Sequence, residues 1–278
     1  MKSIYDNISY KISKQVTNAY STSFSLGIHV LHKSIHDPIY GIYGFVRLAD
    51  EIVDTFHEYD KKTLLDEFRA DTYRAIERKI SLNPVLQSFQ MAVNKYNIER
   101  ELIDSFLYSM EMDLEQKEHD QESFEKYILG SAEVVGLMCL RVFCQGNEEQ
   151  YLHLKPSAMK LGAAFQKINF LRDLKADFKI MGRSYFPGID INTFTEESKK
   201  TIEADIDKDF QEAYLGIKEL PSNARFGVYT AYVYYYALFK KIQITPASTI
   251  LSERIRIPNN KKYQLLIGSY IKHSFNLL

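Results

Sequence analysis

In the segment YGIYGFVRLADEIVDTF, residues 40–56, four side chains of types that do chemistry recur at helical spacing. At 100° per residue Tyr43, Arg47, Asp50 and Asp54 fall on one narrow stripe. Val46 and Val53 border it, and Phe45, Leu48 and Ile52 take the opposite side. A helix apolar on so much of its circumference encloses its two carboxylates. Leaving them unpaired costs several kcal/mol each. Arg47 is one neutralising partner and a divalent cation is another. Taken alone, the segment is equally readable as a surface stripe with an Arg–Asp pair.

A second segment, KLGAAFQKINFLRDLKADF at residues 160–178, repeats the theme. Asn169, Asp173 and Asp177 stand at i, i+4 and i+8, within about 80° of one another around a helix. Gly162 and Gln166 share that sector, Phe165 and Phe170 flank it, and Lys160 and Lys167 point away. Small Gly162 and Ala163 leave room for a large ligand beside the acids. This stripe too has a plain solvated reading. Together the segments say more, because each presents oxygen ligands at one-turn spacing and they lie over a hundred residues apart. Mg²⁺ prefers oxygen, keeps several waters and binds through a few carboxylates plus substrate phosphates. Neither stripe carries His or Cys, which argues against zinc. Two acidic helices facing each other can hold a diphosphate through bridging cations. Arg47, Arg172, Arg183 and Lys175 are candidate bases to complete the cage.

The elements that would position these groups are helical throughout. Apolar residues recur every three or four positions, and strict alternation is hard to find. The pattern predicts helices at 3–22, 38–57, 61–79, 84–95, 99–118, 122–145, 147–178, 195–217, 222–243 and 260–276. Pro38, Pro84 and Pro156 are expected in first turns, and Asn83 as an N-cap. The strongest loop signal is residues 181–195, with a second near RIPNN, 256–260. No repeat or linker divides the 278 residues, so one all-α domain spanning 1–278 is expected.

Composition narrows the function further. Lys plus Arg is 35 against 36 Asp plus Glu, so nothing draws the chain to nucleic acid. Cys139 and Cys144 read as small buried hydrophobes in a reducing compartment, and the N-terminus has no secretory h-region. The apolar run 226–239 is too short and Tyr-rich for a membrane span, so a buried helix is expected. With 20 Tyr and 17 Phe, most aromatics fill the core and a minority is expected to line a long apolar pocket.

RLADEIVD (47–54) resembles the first aspartate-rich motif of the squalene and phytoene synthases, and NFLRDLKAD (169–177) resembles the second. YSTSF (20–24), EMDL (111–114), SAEVVG (131–136), GRSYFP (182–187) and SERIRI (252–257) also correspond to family segments, so the likeness runs along nearly the whole chain and looks closest to bacterial phytoene synthases. The resemblance implies an isoprenoid synthase-type helical bundle around a central apolar cavity. It implies that Asp50 and Asp54 bind magnesium from one helix, and Asn169, Asp173 and Asp177 from the other, with manganese as a substitute. By the same likeness Ser21, Ser23, Arg47, Arg172, Tyr235 and Arg254 contact diphosphate oxygens, and Gln166 lies beside the reacting centre. Glu51 stands where the family often has a second acid. Leu129 stands where a Tyr is common and Glu133 where Gly is usual, and Tyr127 is carried as a catalytic candidate beside Arg47 and Gln166.

The implied reaction joins two C20 diphosphates head to head through a cyclopropylcarbinyl diphosphate to phytoene, in carotenoid biosynthesis. The alternative is C15 chemistry giving squalene or dehydrosqualene. Squalene formation consumes NADPH, which phytoene formation is not expected to need; the absence of a G-x-G-x-x-G fingerprint bears on this only weakly, since the family does not bind the cofactor that way. A terpene cyclase or a noncatalytic helical protein with acidic stripes are the rival classes. Phe24, Phe165 and Phe170 are candidates for facing a carbocation. No obligate protein partner is implied. The expected setting is the cytoplasm, with transient contact at the inner membrane face through Lys272, Phe275, Leu277 and Leu278.

Overall fold

The computed structural model describes residues 1–115, 118–176, 184–189 and 194–274. The chain runs α1 (Lys2–Tyr20), α2 (Thr22–His29), α3 (His36–Asp54), α4 (Lys61–Arg78), α5 (Pro84–Tyr96), α6 (Arg100–Glu115), α7 (Gln121–Ile128), α8 (Val134–Cys144), α9 (Glu148–Ala176), α10 (Glu196–Glu219), α11 (Ser222–Gln243), α12 (Ala247–Ile250) and α13 (Asn259–Ser274). Among the described residues the only β pairing is an isolated bridge from Glu118 to Ser184. The architecture is all-α, as expected.

Local chemistry marks the boundaries. Asn83 caps α5 by accepting from the Val85 N–H at 3.0 Å, with Pro84 beside it at the start. Thr195 and Ser198 close a capping box on α10. Lys79, Asn97 and Gln145 end α4, α5 and α8 in the left-handed region.

Four expectations need correction. The predicted helix 3–22 breaks at Ser21, whose extended backbone (φ −144°, ψ 108°) lets its hydroxyl accept from the Phe24 N–H at 3.1 Å and start α2. α3 stops at Asp54 rather than 57. The predicted helix 122–145 contains a π-turn, Leu129–Glu133, between α7 and α8. Pro156 lies well inside α9 rather than in its first turn, and α9 continues through it. The short α12 was not expected. Residues 121–144 are long and apolar enough by composition to cross a bilayer, yet 56% of their most apolar 18-residue stretch is buried inside the protein. Here α6 and α9 press on the π-turn: a Cβ on Gly130 would meet Ser109 Cβ at 2.7 Å, and one on Gly162 would meet the Ala132 carbonyl oxygen at 2.7 Å.

Two apolar clusters form. In the first, Phe45 stacks on Phe89 (3.8 Å, 4°) and tilts against Phe106, joining α3, α5 and α6. In the second, Phe170 stacks on Tyr185 (4.0 Å, 8°), and Phe210 and Phe239 join α10 to α11. Lys160 and Lys167 do face away from the acid stripe. They bind Asp209 of α10 at 3.1 and 2.7 Å, and Asp209 keeps 1% side-chain exposure. A cavity of about 990 Å³ is walled by both clusters, and Tyr232 packs against each.

Candidate active site

α3 forms one wall. Tyr43, Arg47, Asp50 and Asp54 all line the cavity, as their stripe required. Arg47 lies over the Tyr20 ring at 4.2 Å, pairs with Glu51 one turn on, and stands 3.8 Å from Asp50. Glu51 is buried, so the family-like second acid serves here as the anchor of Arg47. The Arg47 Nε is buried with no hydrogen-bond partner, a donor suited to an anion. Burial, then the neighbouring Asp54 carboxylate, push Asp50 up to about 7. Asp50 keeps 31% side-chain exposure, and that surface opens on the cavity.

α9 forms the facing wall. Gln166, Asn169, Arg172 and Asp173 line the cavity with Phe165 and Phe170. Asp173 is held by two arginines: Arg172 Nη2 at 2.6 Å and Arg254 Nε, from the segment after α12, at 2.6 Å. Asn169 Oδ1 is 3.4 Å from the Tyr235 hydroxyl, a long contact. Tyr235 stacks on Phe165 (3.9 Å, 16°), and burial pushes its phenol up to about 12. Ser21, Phe24, Tyr127 and Arg254 reach the same cavity. Lys175 does not: it donates to the Ser252 carbonyl at 2.6 Å and braces the Arg254 segment. Asp177, Arg183 and the side chain of Ser23 lie outside the described residues, as do Phe275, Leu277, Leu278 and the Lys272 side chain.

The polar groups gather at one end. The other end is buried and apolar, closed by Leu31, Phe143, Leu154 and Leu220. Asn223 ties that floor, its side-chain amide donating to the Phe143 carbonyl at 3.1 Å while its main-chain carbonyl accepts from the His32 N–H at 2.8 Å. Along α9 the lining runs from Asp173 to Leu154, about 28 Å at the helical rise.

Among the described residues no three His, Cys, Asp or Glu side chains converge on one metal position. The Asp50–Asp54 pair nevertheless fits a hard divalent cation, since Mg²⁺ needs only one or two carboxylates and completes its shell with water and phosphate. Two repelling carboxylates, one of them pushed up to about 7, are the electrostatic mark of a place a cation would relieve. The α9 acid Asp173, with no ligand present, is paired with Arg172 and Arg254, two cations that a diphosphate would draw toward its own oxygens.

Sequence reasoning missed Asp113 and Tyr185 as wall residues. Asp113, from α6, accepts from the Tyr127 hydroxyl at 2.7 Å and from the Tyr185 hydroxyl at 3.1 Å, and all three line the cavity. Their motifs, EMDL and GRSYFP, carried the signal without the pairing.

Residues 17–261 match the family model described as Squalene/phytoene synthase. The chain is 24% identical over 284 residues to the phytoene synthase of Arthrospira platensis, covering 93% of this chain and 91% of that protein. It is 26% identical to the 4,4'-diapophytoene synthase of Staphylococcus haemolyticus, over 70% of this chain and 68% of the relative. It is 30% identical over 179 residues to the presqualene diphosphate synthase of Zymomonas mobilis, over 62% of this chain and 58% of that protein. A crystal structure of a dehydrosqualene synthase in complex with ligand superposes with a TM-score of 0.80 at 20% identity, covering 96% of this chain and 98% of the other, which marks the fold as the isoprenoid synthase bundle. With two acid-bearing helices facing across one greasy cavity, and with these likenesses along its length, the chain belongs to the squalene/phytoene synthase family of prenyltransferases.

Proposed function

We propose that the protein condenses two geranylgeranyl diphosphates head to head, with magnesium, to phytoene through a cyclopropylcarbinyl diphosphate. The observation that carries this reading is the single cavity with Asp50, Asp54, Asn169 and Asp173 at one end and about 28 Å of lining down to an apolar floor. Main-chain geometry gives roughly 1.2 Å per extended bond, so a sixteen-carbon geranylgeranyl chain reaches about 19 Å and a twelve-carbon farnesyl chain about 14 Å. The longer chain leaves about 9 Å for its diphosphate, while the shorter leaves the floor empty.

In this reading Asp50 and Asp54 of α3 would hold magnesium together with Asn169 and Asp173 of α9, and Asp177, outside the described residues, would complete the second motif. Magnesium, when bound there, would supply neutralisation of the charge that builds on the departing diphosphate. Arg47, with its buried spare donor, and Arg172, Arg254, Ser21, Ser23 and Tyr235 grip the phosphate oxygens. Gln166, which lines the cavity one turn from Asn169 and two from Asp173, would lie beside the reacting carbons. The first ionisation releases diphosphate, and the allylic cation is captured by the double bond of the second chain with loss of a proton. The second ionisation opens the cyclopropane and ends in loss of another proton, so no hydride donor enters. The apolar walls keep water from the cations.

Similarity to a 4,4'-diapophytoene synthase supports a C15 reaction as the second reading. Incubation of the protein and MgCl₂ with geranylgeranyl or farnesyl diphosphate, analysed by mass spectrometry, separates the two. Phytoene from the C20 substrate is expected; a C30 hydrocarbon with no C40 product overturns the choice.

A further inference from the structure

Four elements bring polar and aromatic groups to one spot that the proposed diphosphate chemistry does not use. Asp113 of α6 engages both carboxylate oxygens, Oδ2 with the Tyr127 hydroxyl at 2.7 Å and Oδ1 with the Tyr185 hydroxyl at 3.1 Å. The Tyr185 ring stacks on Phe170 of α9 (4.0 Å, 8°), and the Tyr127 ring centre is 5.0 Å from Tyr185 and 5.8 Å from Phe170. Relative exposures are 9% for Asp113, 3% for Tyr127, 6% for Tyr185 and 4% for Phe170, yet all four border the cavity. An apolar filler would pack this wall without the desolvation cost of a carboxylate. Burial and the Asp113 charge hold the Tyr127 phenol well above its usual range, so it remains a donor. Leu129, where the family commonly has Tyr, packs against the other cluster and does not border the cavity. The π-turn that begins at Leu129 leaves the ring of Tyr127 as the one the 127–129 segment offers to the cavity.

We propose that Asp113 is a positioning residue for the second half of the reaction: it gathers the Tyr127 and Tyr185 hydroxyls and so holds, with Phe170, an electron-rich wall against which the cation from the opening cyclopropane rearranges. This rests on the head-to-head reading. A carboxylate accepting two phenol protons enriches both rings and adds its own negative charge beside the cation.

The test compares Asp113→Asn, Tyr127→Phe and Tyr185→Phe with the unaltered protein under MgCl₂ and geranylgeranyl diphosphate. Readouts are KM, melting temperature, and the partition of product among hydrocarbon, cyclopropylcarbinyl diphosphate and water-captured alcohols. Folded variants are expected to keep KM within about threefold, while the share of intermediate plus alcohol relative to hydrocarbon rises about thirtyfold, the worth of one desolvated cation–π contact. Tyr185→Phe, which deletes one hydroxyl, carries the test if Asp113→Asn does not fold. Active variants with unchanged partition overturn the role of Asp113. Absence of any head-to-head product from the unaltered protein overturns the reaction itself.

Discussion

Asp50 and Asp173 bear the same carboxylate, yet the fold treats them differently. Asp173 is neutralised by Arg172 and Arg254, whereas Asp50 has Asp54 beside it and is pushed up to about 7. The ordinary value is 3.8, so between about 4 and 7 the folded protein keeps a proton that the unfolded chain has released. The Asp50 contribution to metal-free stability is therefore present below that window and lost as pH rises through about 7. Asp50→Asn should gain melting temperature relative to the unaltered, metal-free protein at about pH 8 but not at about pH 4. An equal difference at both pH values contradicts this assignment. Glu133, also raised to about 7 by burial, titrates in the same window and cancels in the comparison. At this scale the sequence was informative wherever chemistry repeats with the helical period: the stripe Tyr43, Arg47, Asp50, Asp54 came through intact. Asp113 did not, because a lone acid on an amphipathic helix has no periodic partner, and its contact with Tyr185 spans 72 residues.

Helix ends separate stability from catalysis. Asn83 and Ser21 both cap helices through their side chains, but only Ser21 borders the cavity. Asn83→Ala should cost about 1 kcal/mol in chemical denaturation and leave KM unchanged. Ser21→Ala should cost a similar amount and raise KM as well, since a phosphate contact goes with the cap. A Ser21→Ala protein with unaltered KM removes Ser21 from the site. Most elements were legible because their apolar period is strong and their caps ordinary. The break at Ser21 and the π-turn at Leu129–Glu133 were not, because both keep helical periodicity while a hydroxyl in one case and α6 and α9 in the other redirect the backbone.

The whole molecule decides how long a chain fits. No pattern in the sequence locates a floor, since Leu31 and Leu220 follow α2 and α10 while Phe143 and Leu154 lie in α8 and α9, four places far apart in the chain. Ser157 lies one turn above Leu154 on α9 and also borders the cavity. Ser157→Phe should shorten it and raise the ratio of kcat/KM for farnesyl over geranylgeranyl diphosphate by about tenfold or more. An unchanged ratio in an active, folded variant puts the floor elsewhere. The central claim remains that the acids of α3 and α9 act on one diphosphate. Melting temperature followed against Mg²⁺ in the presence of inorganic pyrophosphate tests it most directly. At about a hundredfold over Kd the ligand pair is worth about 2.7 kcal/mol, and Asp50→Asn and Asp173→Asn should each abolish the upward shift. A Asp173→Asn protein that keeps the full shift would contradict the account.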